Sequence, residues 1–247
     1  HSDGKVNFCF AQGAGQGRRE VPGGKFSWAG GTGALVDFEG NDTYRAGNFS
    51  QASGYWFGTG VLFDAQGNDL FESCYFSQAS AAHFAQAVLV DDSGDDTYFL
   101  DKTSGAALSF GWDFSNALFV DRKGNDRYRL KMFGIANSMV RSNTFFIEME
   151  GNDYYDVGGI DGFFGRCDLL ETYKNKTAAT AQYESSQHAI FIDAGGEDVY
   201  LFNPKDGQFR VKNNTSWPQP DSLGLYNNYF IGIDSDGKVE KGAEIED

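Results

Sequence analysis

Ala34–Tyr44 reads ALVDFEGNDTY: an apolar run closing on Asp, then Gly-Asn-Asp, then an aromatic residue. The pattern returns as VLFDAQGNDLF from Val61, VLVDDSGDDTY from Val88, LFVDRKGNDRY from Leu118, FIEMEGNDYY from Phe146 and IFIDAGGEDVY from Ile190. IGIDSDGK from Ile231 begins it once more and fades. The turn glycine falls at Gly40, Gly67, Gly94, Gly124, Gly151, Gly196 and Gly237, in steps of 27, 27, 30, 27, 45 and 41 residues. A fixed period of this length marks a repeat architecture. The two long steps read as the same unit carrying insertions.

Each repeat divides into three short extended pieces separated by turn residues: the run ending in Asp, a TYRAG-like piece, and a small-residue piece with Ser, Gln and Ala. No repeat carries an apolar stripe at helical spacing, and Gly-Asn-Asp is turn chemistry. A propeller blade needs a longer period, and the Leu/Asn ladder of a leucine-rich repeat is missing. The expectation is an all-β fold, a parallel β-helix (β-solenoid) of about seven rungs, right-handed by analogy. Residues 1–247 form one solenoid domain on this reading. Residues 1–32 make an irregular first coil or cap, 33–201 the repeats, and 202–247 an inserted loop with a last degenerate rung.

A fainter element follows the aromatic position: Ser50 and Gln51 after Tyr44, and Ser77 and Gln78 after Phe71. Gln12 in AQGAG resembles it without a preceding turn unit, as if the chain begins partway through a coil. Gln12, Gln51 and Gln78 are placed to form an amide ladder along the solenoid.

Composition narrows the function. The 20 Lys+Arg against 35 Asp+Glu give a net charge of -15, with no basic cluster, so nucleic acid is a poor partner. No apolar run is long enough for a membrane-spanning helix. Cys9, Cys74 and Cys167 are an odd number without CxxC or CxxH spacing, which reads as small buried residues. His1 is not an initiator methionine, and no signal peptide can be read.

Stacked repeats bring two carboxylates per turn into columns. One runs Asp37, Asp64, Asp91, Asp121, Glu148, Asp193 and Asp234; the other runs Asp42, Asp69, Asp96, Asp126, Asp153 and Asp198. Rungs about 4.8 Å apart put like charges at a cost of roughly 0.9 kcal/mol per neighbouring pair even in bulk water. Two arrangements offset that. Backbone N–H groups of the turn can satisfy the carboxylates, with Gly supplying a left-handed conformation, or a row of Ca²⁺ can take them as ligands.

GNDTY at Gly40, GDDTY at Gly94 and GNDRY at Gly124 resemble half-repeats of the RTX calcium-binding β-roll family. RTX repeats run as tandem nonapeptides, whereas one such piece occurs here per 27-residue period. The resemblance implies Ca²⁺ ligands at Asp37, Asp42, Asp64, Asp69, Asp91 and Asp96. The one-motif coil is also similar to repeats of bacterial surface and secreted proteins, which implies an extracellular or cell-surface location.

The insertions, counted after Tyr155 and after Tyr200, are rich in aromatics, and solenoid insertions gather on one, often binding, face. Phe163, Phe164, Tyr173 and Tyr183 in the first, and Trp217, Tyr226 and Tyr229 in the second, suit sugar stacking or a protein contact; the alternative is that they pack the loops onto the solenoid. A catalytic pair should break the repeat, and Asp161, Asp168 and Glu171, with Arg166 and Lys174 nearby, do so. His83 falls in the column of Trp56 and Phe110, where packing explains it. The expected function is a non-catalytic extracellular module that binds a glycan or protein partner through its aromatic loops, with Ca²⁺ as a stabilising ion. A polysaccharide lyase or hydrolase, and a structural subunit of a surface assembly, stand as alternatives.

Overall fold

The computed structural model describes residues 8–18, 27–100, 106–130, 134–157, 164–168, 187–202, 213–216 and 229–235. Strands β1 (Phe8–Ala11) and β2 (Gly15–Gln16) come first. The first complete turn holds β3 (Thr32–Val36), β4 (Thr43–Arg45), the short β5 (Asn48–Ser50) and β6 (Gly54–Tyr55). The second holds β7 (Thr59–Asp64), β8 (Leu70–Ser73) and β9 (Ser80–Ala82), the third β10 (Gln86–Asp91), β11 (Thr97–Leu100) and β12 (Phe110–Trp112). The fourth holds β13 (Asn116–Asp121), β14 (Arg127–Arg129) and β15 (Ile135–Met139), the fifth β16 (Asn143–Glu148), β17 (Tyr154–Val157) and β18 (Phe164–Asp168). Beyond them lie β19 (His188–Asp193), β20 (Val199–Phe202) and β21 (Tyr229–Asp234).

Three parallel sheets result. The first is ordered β21-β19-β16-β13-β10-β7-β3, the second β20-β17-β14-β11-β8-β4, and the third β18-β15-β12-β9-β6-β2. The fold is the expected parallel β-solenoid. Five turns are complete among the described residues, against an expectation of about seven, while the first sheet counts seven strands there. Part of residues 1–32 follows the coil: β1 runs parallel to β5 and β2 to β6.

Register is kept by stacking identical chemistry. Inside the coil, Tyr44, Phe71, Tyr98, Tyr128, Tyr155 and Tyr200 stack face to face at 4.5 to 5.1 Å. A second inner column runs Phe119, Phe146 and Phe191. Offset stacks of this kind add to the burial of the rings. A smaller apolar cluster containing Phe49, Phe76, Phe110 and Met139 covers the third sheet from its other side.

The 30-residue step shifts one column. His83 lies beside Trp56 and Asp113, not Phe110, since Phe110 pairs with Ser80 and the three extra residues precede it. His83 Nδ1 and Asp113 Oδ2 are 2.8 Å apart. This corner uses consecutive left-handed residues in four turns: Trp56-Phe57, His83-Phe84, Asp113-Phe114 and Val140-Arg141. Each such residue costs roughly 1–2 kcal/mol on its own. Rung-to-rung bonds, as from Phe84 N to Asp113 O at 2.9 Å, and the Phe57–Phe84–Phe114 stack at 5.0 Å per step oppose that cost.

Candidate metal centre

The Gly-Asn-Asp turn is built by its neighbours along the axis. An ideal Cβ on Gly94 would lie 1.5 Å from Gly67 O, and one on Gly124 would lie 1.6 Å from Gly94 O. Glycine is required by this close approach of successive turns more than by a left-handed φ. The Asn position forms a ladder: Asn68 N donates to Asn41 Oδ1 (2.9 Å), Asp95 N to Asn68 Oδ1 (3.0 Å) and Asn125 N to Asp95 Oδ1 (2.8 Å). Asp95 serves there as well as Asn because only an oxygen acceptor is needed.

The final Asp of the turn does the same. Asp69 N donates to Asp96 Oδ1, Asp96 N to Asp126 Oδ1 and Asp153 N to Asp198 Oδ1, each at 2.6 Å, and Asp126 N to Asp153 Oδ1 at 2.7 Å. The Asp that closes the preceding strand meets tyrosine hydroxyls instead. Tyr98 OH donates to Asp91 Oδ2 at 2.8 Å, Tyr128 OH to Asp121 Oδ2 at 3.0 Å and Tyr155 OH to Asp193 Oδ2 at 2.7 Å. Phe71 occupies the tyrosine column without a hydroxyl.

These bonds use one oxygen of each carboxylate. The second oxygens of Asp69, Asp91, Asp96, Asp121, Asp126, Asp153, Asp193 and Asp198 are buried without a hydrogen-bond partner, as are both oxygens of Glu148. The residues are at most 7% exposed. They gather into four groups whose ligand atoms lie within 4.8 Å of one another: Asp69/Asp91/Asp96, Asp96/Asp121/Asp126, Asp126/Glu148/Asp153 and Asp153/Asp193/Asp198. Buried carboxylates facing one another without partners are costly unless protonated or bound to a cation.

Burial first, and neighbouring carboxylates with it, raises these groups. Asp69 and Asp198 are pushed up to about 6, Asp91 and Asp153 to about 7, and Asp96 and Asp193 to about 8. Asp126 reaches about 10 and Glu148 about 11, and Asp121 is raised well above the usual range.

Of the six ligands expected from the sequence, Asp69, Asp91 and Asp96 come together in one group. Asp64 instead accepts from Tyr44 OH, and Asp37 and Asp42 stand at the more open end of the column. The other six members belong to the same two sequence columns. Which oxygen is left unbonded is a three-dimensional fact that the spacing does not carry.

Among the expected binding aromatics, Phe164 is 3% exposed and packs against Tyr155, Phe191 and Tyr200. It is a core residue, because β18 continues the third sheet and the extra residues fall after Asp168, between β18 and β19, not directly after Tyr155. Phe163, Tyr173, Tyr183, Trp217 and Tyr226 lie outside the described residues, as do Asp161, Glu171 and Lys174. Tyr229 opens β21, paired with His188, and Arg166 and Asp168 sit on β18, paired with Asn137 and Met139. The expected glutamine ladder forms once, Gln51 Nε2 to Gln12 Oε1 at 3.1 Å, while Gln78 Nε2 donates to Phe71 O. Comparison of the chain with protein-family models, curated proteins and solved structures gave no match.

Proposed function

We propose that the chain is a non-catalytic extracellular or cell-surface module, a rigid solenoid whose axis is held by a row of buried Ca²⁺ ions. The observation that carries this reading is the set of nine buried carboxylates, every one with an unpartnered oxygen, arranged as four consecutive groups. The donors are all oxygen, which suits a hard cation such as Ca²⁺ and disfavours softer transition metals.

Charge counting favours a divalent ion. Adjacent groups share Asp96, Asp126 or Asp153, so each further turn adds two carboxylates and one group. One divalent cation per turn therefore balances the column. Four such ions would bring the formal net charge from -15 to -15 + 8 = -7. Millimolar calcium outside cells is enough for modest-affinity sites of this type. On this reading the ions stiffen a scaffold, and recognition of a glycan or protein partner falls to the aromatic residues of the two insertions.

The test is thermal unfolding with Ca²⁺ and with EDTA, on the native chain and on Asp126→Asn. The variant keeps the Oδ1 acceptor used by Asp96 N but removes a charge shared by two groups. Native protein should lose stability in EDTA, since ions bound only by the folded state contribute about 2.7 kcal/mol per site at a hundredfold excess over Kd. Asp126→Asn should be less stable than native protein in Ca²⁺ and more stable than native protein in EDTA. The same midpoint for native protein with and without the chelator would overturn the reading.

A further inference from the structure

The three sheets treat their outer faces differently. The third carries the Phe76–Phe110 cluster, and its strands β9 and β15 are buried on both sides. The second faces outward with charge: Arg45 pairs with Glu72 at 2.7 Å and Arg129 with Asp156 at 3.2 Å. The first alternates buried and half-buried residues in β7, β10, β13, β16 and β19, yet its outward residues are apolar too. One outward column runs from Val61 through Leu118 to Ile231, and the next from Phe63 through Val120 to Ile233. Both columns contain only Val, Leu, Ile and Phe from β7 to β21, with Ala34 and Val36 ahead of them. The third outward column is polar, and from Gln86 to His188 it is bonded in a row: Asn116 Nδ2 donates to Gln86 Oε1 (3.1 Å), Asn143 Nδ2 to Asn116 Oδ1 (2.7 Å), and His188 Nδ1 lies 2.6 Å from Asn143 Oδ1.

We propose that this face is where two copies of the chain pair, sheet against sheet. Parallel sheets are almost always covered on both sides, and their strands then read as unbroken apolar runs; VLF, VLV, LFV, FFI and IFI are such runs, whereas the second sheet mixes charge into β4, β8, β14 and β17 (TYR, LFES, RYR and YYDV) and is apolar throughout only at β20. None of the 20 outward positions taken from β3 to β19 and at Ile231 and Ile233 is charged, in a chain with 22% charged residues.

The size fits a second copy. Seven strands of up to six residues give a flat area of about 29 by 20 Å, so a pair buries about 1,200 Å² in total, the lower end of stable specific interfaces. Self-pairing also fits the charge. The acidic turns line one edge of the sheet, and a two-fold axis along the solenoid places the two acidic edges on opposite sides, about 20 Å apart, beyond the screening length at physiological salt. An anionic membrane would meet that acidic edge directly. A glycan would meet mainly aliphatic side chains along the two apolar columns, ten of the twelve residues from β7 to β21 being Val, Leu or Ile.

The experiment is sedimentation velocity over a dilution series in Ca²⁺-containing buffer, with the native chain, a Val88→Lys/Val120→Lys variant and a Leu201→Lys control on the outer face of the second sheet. The native chain and the control should sediment at twice 27.1 kDa at the higher concentrations. The lysine variant should remain a monomer throughout, with an unchanged circular dichroism spectrum. If it fails to fold, Val88→Thr/Val120→Thr replaces it, with dimer dissociation shifted at least tenfold to higher concentration. A native chain that is monomeric over the whole series would overturn the proposal and leave this face to a different protein. A folded variant that dimerises as tightly as the native chain would overturn it too.

Discussion

Tyr155 and Tyr200 stack with centroids 4.8 Å apart and planes 4° from parallel, although 45 residues separate them in the chain. Tyr155 OH donates to Asp193 Oδ2 at 2.7 Å, and Tyr200 OH lies between that oxygen (2.9 Å) and Asp234 Oδ2 (2.6 Å). The long step between repeats leaves the column undisturbed: β17 and β20 pair in register, Tyr155 opposite Tyr200. The tyrosine ladder and the carboxylate column are one structure, joined through phenol–carboxylate bonds at the tyrosine rungs.

That joint can be changed in both directions. Tyr128→Phe removes the bond to Asp121, which is fully buried, and should cost about 1–3 kcal/mol in a denaturant titration. Phe71→Tyr adds a hydroxyl at the one position of the column without it, between Asp64 and Asp91, and should raise the midpoint. A lower midpoint for Phe71→Tyr would show that stacking alone governs the column.

The turn glycine Gly124 should differ sharply from Gly31. Gly124→Ala drives a Cβ against the Gly94 carbonyl, a backbone atom that cannot swing away, and should cost at least about 2 kcal/mol. A Cβ on Gly31 meets nothing within 4 Å, so Gly31→Ala should stay within about 0.5 kcal/mol of the native chain. Comparing the two melting curves checks the claim; similar losses would mean the turns are not as closely spaced as described.

In EDTA the pH dependence should run opposite to that of ordinary surface carboxylates. Folding raises Asp69, Asp91, Asp96 and Asp193 from 3.8 to about 6, 7, 8 and 8. A raised folded value gives stability that is complete below pH 3.8 and is lost as the pH rises through 6 to 8. The chelated protein should thus melt at a higher temperature at pH 5 than at pH 8.5. With Ca²⁺ present the order should reverse, since protons compete for the ligands. A chelated protein with the same melting temperature at both values would contradict the carboxylate geometry.

The outer aromatic corner is structural on this geometry. Phe84 has Phe57 on one face and Phe114 on the other, at 5.0 Å each, with Arg141 over Phe114 at 5.5 Å. Phe84→Ala should cost about 1–2 kcal/mol by urea unfolding, and Arg141→Ala less than about 1 kcal/mol.

Much of this was legible in the sequence, and the reason is the period. A 27-residue repeat aligns Asp with Asp and Tyr with Tyr, so both carboxylate columns and the stacking aromatics follow from spacing alone. Where the spacing changes, reading from spacing fails: the three extra residues before Phe110 moved His83 beside Asp113, and the long step after Tyr155 made the core residue Phe164 look like a loop aromatic. The outward apolar columns of the first sheet are written in VLF and IFI, but an apolar triplet does not say which of its residues point inward. The unpartnered oxygens were not legible at all, since they depend on which acceptor each N–H and O–H selects.

Asp96, Asp126 and Asp153 each belong to two groups. A cation seated in one group thus pre-arranges and partly neutralises the ligands of the next, while a gap in the middle of the row leaves a half-built site on either side. Loading should spread outward from the first occupied position like a zipper, and partly filled rows should be rare. If the groups hold Ca²⁺, as proposed, such a row would respond steeply to cation concentration, and the stiffness of the same chain would follow the compartment it is in.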